Sequence, residues 1–185
     1  FKRYALRMLL FAVLSEVPFD LMYGGTVFYP VHQNVIWTLL LGLLGIRLME
    51  AARAKGKRWL YILTCAAVVV LGFALGTLGM VDYYGAGVLT VFAFYFFRER
   101  KWWCLLGQLA ALYWLNVAVL GGQMYPVTLF GREIELCEQG LALLALVPIW
   151  LYRGRQGHHS KAFQYACYAF YPAHMLVLAL LTMIQ

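Results

Sequence analysis

Seven apolar runs, parted by short clusters of lysine and arginine, leave this chain few folds to choose from. A helix closes its own backbone hydrogen bonds, so roughly 20 apolar residues in that form can cross a hydrocarbon layer about 30 Å thick. The runs are Tyr4 to Tyr23, Asn34 to Met49, Trp59 to Met80, Tyr84 to Phe97, Trp102 to Gln123, Leu136 to Tyr152 and Ala162 to Ile184. The fourth is too short to cross upright unless the bilayer thins around it. Hydrophobic residues make up 64% of the chain and charged ones 12%, with a mean hydropathy of +0.73, which a soluble domain of this size does not show. The expected architecture is an all-α polytopic bundle of about seven membrane helices, one domain over residues 1–185, with no internal repeat.

The net charge of +7 does not point to nucleic acid, because the basic residues sit between apolar runs instead of on one face of a soluble module. With seven crossings, 14 of the 15 lysines and arginines fall in alternate loops and only Arg132 lies opposite. The positive-inside rule then makes those loops cytoplasmic and puts the C-terminus outside. Trp59, Trp102, Trp103 and Trp150 fall at the same ends, as an interfacial belt would. Cys65, Cys104, Cys137 and Cys167 occur singly, without metal-ligand spacing, and read as small hydrophobes. No metal site is expected. Gly72 and Gly76 form a pair of small residues four apart that lets helices approach closely.

Titratable groups inside apolar runs are costly and mark candidate sites. His174, just after Pro172, lies about 20 Å along its helix from Lys161 at about 1.5 Å per residue, past the middle of the layer. Tyr168 and Tyr171 share that helix as candidate hydroxyl donors. In the first run Glu16 and Asp20 are four apart, hence on one face, with Pro18 between them removing a backbone donor. They serve either as a functional carboxylate pair or structurally, Asp20 capping the helix end and Glu16 meeting a buried polar partner. Asp82 either begins the next helix or completes a mouth lined by carboxylates. Asn34 fits a helix N-cap, and Gln33 and Asn34 together line the same loop. His32 reads as a solvated loop histidine, and His158 and His159 as loop residues. Arg53, Lys57, Arg58, Arg98, Arg100, Lys101, Arg153 and Arg155 either set topology alone or also form a rim for a polyphosphate. The stretch Met124 to Gln139, with Tyr125, Pro126 and Phe130 among charged residues, suits a lid or an interfacial half-helix.

The opening FKRYALRMLLFAVLSEVPFDLMYGG, the run QNVIWTLLLGLL, the segment DYYGAGVLTVFAFYFFR and the close LYRGRQGHHSKAFQYACYAFYPAHMLVLALL together resemble the TraX family, with SEVPFD and FYPAH its specific elements. That family includes the membrane protein that acetylates the N-terminus of conjugative pilin, and is related to membrane acyltransferases that use acyl-coenzyme A. The resemblance implies acetyl-coenzyme A as donor, a pilin, peptide or small-molecule amine as acceptor, lipid as surroundings and a bacterial cytoplasmic membrane as location. Family members usually begin with two further helices, the first carrying an Asp-His pair; the chain as given starts after them, and a hairpin upstream would keep Phe1 cytoplasmic. On this reading His174, Glu16, Asp20 and Asp82 are the catalytic candidates, the eight basic residues bind the donor, and Gln33, Asn34, Tyr168 and Tyr171 face the acceptor. Two rivals use the same residues: a proton- or cation-coupled transporter or channel, and a noncatalytic membrane assembly partner.

Overall fold

The computed structural model describes residues 1–129, 131–155, 157 and 160–184. Among them the chain is helical apart from one β-hairpin, and it divides into two compact units, residues 1–88 with 156–185, and residues 89–155.

The first unit is a bundle of α1 (Lys2–Gly24), α2 (Val35–Ala54), α3 (Arg58–Leu78) and α7 (Lys161–Ile184), and it includes the start of α4 (Tyr84–Phe96). α1 packs against α2 and α7, and α2 against α3. The burial pattern is the reverse of a soluble bundle's. Along α1 the interior face is Ala12, Ser15, Phe19 and Asp20, while Val13, Leu14 and Val17 point outward. Ile62, Leu63, Val70 and Leu71 of α3 and Phe170, Val177 and Leu180 of α7 are exposed as well. Lipid tails accept such side chains at no cost, so the bundle interior takes in polar groups such as Ser15, Asn34 and Thr38 beside apolar ones such as Ile36, Leu40 and Met49. α1 ends at Gly25, whose φ of 66° fits a residue without a side chain. α2 begins at Asn34, which caps it by accepting the Ile36 N–H at 3.0 Å.

The second unit contains the rest of α4 and α5 (Trp102–Tyr113), which winds on as a π-helical stretch through Leu120. The hairpin of β1 (Met124–Leu129) and β2 (Arg132–Cys137) follows, antiparallel with Met124 opposite Cys137. A 3₁₀ stretch, Glu138–Ala145, then leads into the short α6 (Leu146–Leu151). Buried Gln108 ties this unit internally: its amide donates to the Phe97 carbonyl at 2.9 Å and accepts the Trp150 indole N–H at 2.7 Å.

Four helices are long and apolar enough to cross a membrane among the described residues, Val35–Ala54, Arg58–Leu78, Trp102–Leu120 and Lys161–Thr182, so the protein is a membrane protein. The expected count of about seven spans is not supported among the described residues. The 23 residues of α1 would reach about 34 Å, but Arg7, Glu16 and Asp20 fall within its apolar stretch. α4 has only 13 residues, and the run from Leu136 is divided among β2, the 3₁₀ stretch and an α6 that contains Pro148. With four such helices the alternation of basic loops no longer assigns a side to each loop. The half-helix expected as one alternative over Met124 to Gln139 is replaced by the β-hairpin, because Tyr125, Val127, Thr128, Ile134 and Leu136 suit extended backbone and Gly131, with φ of 78°, makes the turn. Trp150 spends its indole N–H inside the unit rather than on an interfacial belt.

Of the glycine pair on α3, Gly76 is the close contact. A Cβ there would lie 2.9 Å from the Tyr84 carbonyl oxygen and 2.9 Å from Val88 Cγ2. Gly76→Ala is expected to destabilise the protein by about 1–3 kcal/mol through overpacking, seen as a lower midpoint in denaturant titration of the protein in detergent; an unchanged midpoint would show that the helices can part freely.

Candidate functional site

The polar residues of the first unit gather where α1 and α7 meet the N-terminus of α2 and the turn after α3. Asn34 is the junction. Fully buried, it caps α2 with its side-chain oxygen, and its amide donates to the Ala12 carbonyl at 2.9 Å and to Glu16 Oε2. The Trp37 indole N–H donates to the same carboxylate oxygen at 2.7 Å. Glu16 therefore has the buried polar partners that the structural reading of the sequence required. Its other oxygen, Oε1, is buried with no hydrogen-bond partner.

Asp20 repeats the pattern one turn on. Only 2% exposed, it accepts the Tyr29 N–H at 3.0 Å through Oδ2, which fastens the outer loop to α1, while Oδ1 has no partner. Glu16 and Asp20 lie within electrostatic reach of each other, and Ser15 Oγ, fully buried on the same helix, is also unpartnered. Buried polar atoms are nearly always satisfied, so such atoms on a single helix call for an explanation.

Asp82 stands on the turn between α3 and α4. Three non-glycine residues there, Met80, Tyr83 and Tyr84, adopt positive φ of 50°, 59° and 50°. Such backbone costs of order 1–3 kcal/mol per residue and persists only when its surroundings fix it. Gln33 N–H donates to the Met80 carbonyl at 2.9 Å, the Thr38 hydroxyl to the Asp82 carbonyl at 2.7 Å, and Gly85 N–H to the Thr77 hydroxyl at 3.3 Å. The Asp82 carboxylate faces His32, with His32 Nε2 3.3 Å from Oδ1. Burial pushes the Asp82 carboxyl up from its ordinary range, and the His32 partner opposes that rise.

His32 corrects the sequence reading. Instead of a solvated loop residue it is 8% exposed, stacked on Tyr23 at 4.7 Å and Phe19 at 5.6 Å, with the Tyr84 ring edge-on at 5.7 Å. Its burial comes from a turn 50 residues away, which no local pattern announces.

His174 is half-buried at the edge of the α7 interior face, beside buried Met175. Its Nδ1 is 3.0 Å from the Phe170 carbonyl, and its ring stacks on Phe170 at 5.1 Å and lies 5.6 Å from Tyr171. A carbonyl only accepts, so Nδ1 carries the proton and Nε2 keeps a lone pair. Tyr171 connects this region with the acids: its hydroxyl lies beside the Val35 backbone N–H, within electrostatic reach of Asp82 and Glu16. Tyr168 and Gln33 are not brought in by their side chains. Tyr168 is exposed against Phe11 and accepts from Gln164 at 3.2 Å, and the Gln33 amide donates to the Pro30 carbonyl at 3.3 Å. Trp37 and Thr38 belong to the network and escaped sequence reasoning, as did the buried Ser15 beside it.

The basic candidates are spread over both units. Arg53, Lys57 and Arg58 are exposed in the first, Arg53 at 3.8 Å from Glu50. In the second, Arg100 donates to the Trp150 carbonyl at 3.4 Å and to the Tyr152 carbonyl, which joins the stretch 98–101 to the one carrying Arg153 and Arg155. Arg98 lies over the Tyr95 ring at 4.6 Å, and Lys101 meets Glu99 at 2.5 Å, which raises the lysine's pKa. His158, His159 and Phe130 lie outside the described residues.

Because Asn34 both caps α2 and feeds Glu16, two substitutions separate its roles. Asn34→Ala should cost about 1–3 kcal/mol, having lost the cap and left Glu16 and Ala12 short of a donor. Asn34→Asp keeps the capping oxygen yet sets a second carboxylate against Glu16, and is expected to be at least as damaging at neutral pH and to recover as pH falls. A midpoint for Asn34→Asp equal to that of the unaltered protein would show that capping alone matters.

The chain was also compared with known proteins. Among curated proteins and among solved structures no match was found. The family model described as TraX protein matches residues 1–182, essentially the whole chain. By that match the chain belongs to the TraX family.

Proposed function

We propose that the protein is an acetyltransferase embedded in a bacterial cytoplasmic membrane, moving an acetyl group from acetyl-coenzyme A to an amine such as the N-terminus of a pilin or another peptide. Family membership supports the reading. The observation that carries it is the meeting of Glu16 and Asp20, each with one buried oxygen left unpartnered, with a turn that presents Asp82 to an imidazole. A protonated amine satisfies buried carboxylate oxygens with charge-assisted hydrogen bonds. The same amine must lose a proton before it attacks a carbonyl, which requires a base nearby.

Acetyl-coenzyme A supplies the activated acetyl group. The chain's own residues then have separable tasks. Glu16 and Asp20 hold the acceptor's ammonium group; Asn34 and Trp37 fix the Glu16 carboxylate so that Oε1 faces the site. Tyr171 offers a hydroxyl beside the acids. The exposed guanidiniums of Arg153 and Arg155, with Arg98, Arg100 and Lys101, suit the phosphates of the donor, as Arg53, Lys57 and Arg58 do in the first unit. On this reading these clusters face the cytosol, where the donor is made.

The test uses purified protein in lipid nanodiscs, acetyl-coenzyme A and a short peptide with a free N-terminus, followed by mass spectrometry. Acetylation of the peptide is expected. Glu16→Gln and Asp20→Asn should each lower kcat/KM by about 10- to 100-fold, chiefly through KM, since a hydrogen bond to a charged group contributes roughly 1.5–3 kcal/mol. Absence of transfer, or uptake of a cation into liposomes regardless of coenzyme A, would sink the proposal.

A further inference from the structure

Two histidines among the described residues of the first unit have a nitrogen lone pair to offer, and their surroundings differ. His174 Nδ1–H is spent on a carbonyl of its own helix, and no carboxylate is bonded to the ring. His32 has a carboxylate partner, is buried, and retains an unpartnered nitrogen. We infer that His32 is the proton acceptor of the transfer reaction, with Asp82 as its positioning residue, an assignment that rests on the transferase reading above.

The tautomer follows from the contact. A carboxylate accepts, so Nε2 carries the hydrogen that faces Asp82 Oδ1 at 3.3 Å, and Nδ1 holds the lone pair. That Nδ1 is buried and without a hydrogen-bond partner. A histidine that served only to staple the loop to the turn would have no need of the second nitrogen, and the staple already exists without it. Gln33 N–H to the Met80 carbonyl and the Thr38 hydroxyl to the Asp82 carbonyl hold loop, helix and turn together.

Asp82 lies opposite one nitrogen, and the faces of Tyr23 and Phe19 stack on the imidazole, so the cation that forms meets a carboxylate and two π-clouds. Tyr23 and Tyr84, which flank the ring, are themselves exposed, and on this assignment they part to admit the amine to the buried Nδ1. The positive φ of Met80, Tyr83 and Tyr84 adds a second sign. The backbone is held away from its preferred regions at the place that aims Asp82, and strain of this kind gathers at working sites.

The step balances as follows. The acceptor's ammonium first releases one proton to water; the neutral amine nitrogen then attacks the thioester carbonyl and a C–N bond forms. The amine proton passes to His32 Nδ1, the C–S bond breaks, and the leaving thiolate takes a proton, so that an amide and a free thiol result. The imidazolium returns its proton to the thiolate directly or through water, and no oxidant or reductant is involved.

The experiment compares the unaltered protein with His32→Ala, His32→Gln, Asp82→Asn and His174→Ala in nanodiscs, using acetyl-coenzyme A and the peptide amine. His32→Ala and His32→Gln are expected to lose at least 100-fold in kcat with KM for the peptide little changed. Added imidazole should restore part of the His32→Ala rate and none of the His32→Gln rate, which a purely structural role would not produce. In ¹⁵N-histidine spectra the His32 signal, identified by its loss in His32→Gln, should show a bare Nδ1 and a protonated Nε2, and Asp82→Asn should disturb that tautomer. If the unaltered protein acetylates the peptide while both His32 variants keep its rate, or His32→Ala gains nothing from imidazole, or His174→Ala alone abolishes turnover, this assignment is overturned and the transferase reading stands. An inactive unaltered protein overturns both.

Discussion

One buried amide holds the functional half of this molecule together. Asn34 has no exposed surface, and its oxygen and nitrogen serve different helices: the oxygen ends the backbone deficit at the start of α2, and the nitrogen reaches α1 at Ala12 and Glu16. In a bundle surrounded by lipid, apolar side chains gain little from facing one another, so a polar residue that joins two helices decides which faces turn inward. Glu16 and Asp20 face the interior because Asn34, Trp37 and the Tyr29 N–H are there to meet them. Leu14 and Val17 are left to the lipid.

The strained turn after α3 depends on the same arrangement. Gln33 and Thr38 lie on either side of Asn34 in sequence, and they bond the carbonyls of Met80 and Asp82. The N-terminus of α2 thus acts on two sides at once, holding the α1 carboxylates and the turn that carries Asp82. Gly87 allows the fit, since a Cβ on it would lie 2.8 Å from both the Asp82 carbonyl oxygen and Thr38 Cγ2.

Much of this site could be read from the residues alone, and the boundary has a physical cause. Glu16 and Asp20 declared themselves because carboxylates in an apolar helix are expensive wherever they point, and Asn34 because a cap has a local signature. His32 was hidden: its burial and its partner are properties of the turn at Asp82, and a histidine in a loop looks solvated until that turn is placed. The membrane character was plain from hydropathy, yet the number of crossings was not. Hydropathy counts apolar residues and is blind to whether they lie in one long helix or, as after Gly121, in a hairpin, a 3₁₀ stretch and a six-residue helix. The basic clusters were legible as clusters. That Arg100 would be committed to the carbonyls of Trp150 and Tyr152 was not, because the bond joins stretches some fifty positions apart.

The pairing of α1 with α7 sets an order on how the molecule can be made. α1 carries Arg7, Glu16 and Asp20, and each charge near the middle of a lone helix costs about 2.5–3.5 kcal/mol to insert, so it is a poor candidate to settle in lipid unaided. Its neighbours are α2, translated next, and α7, which follows only after more than a hundred further residues. The helix that bears the carboxylates therefore waits long after its own synthesis for its complete surroundings. Until α7 arrives one flank of it lacks its native partner, which gives an insertion chaperone a reason to stay beside it and a quality-control protease a way to recognise incomplete copies.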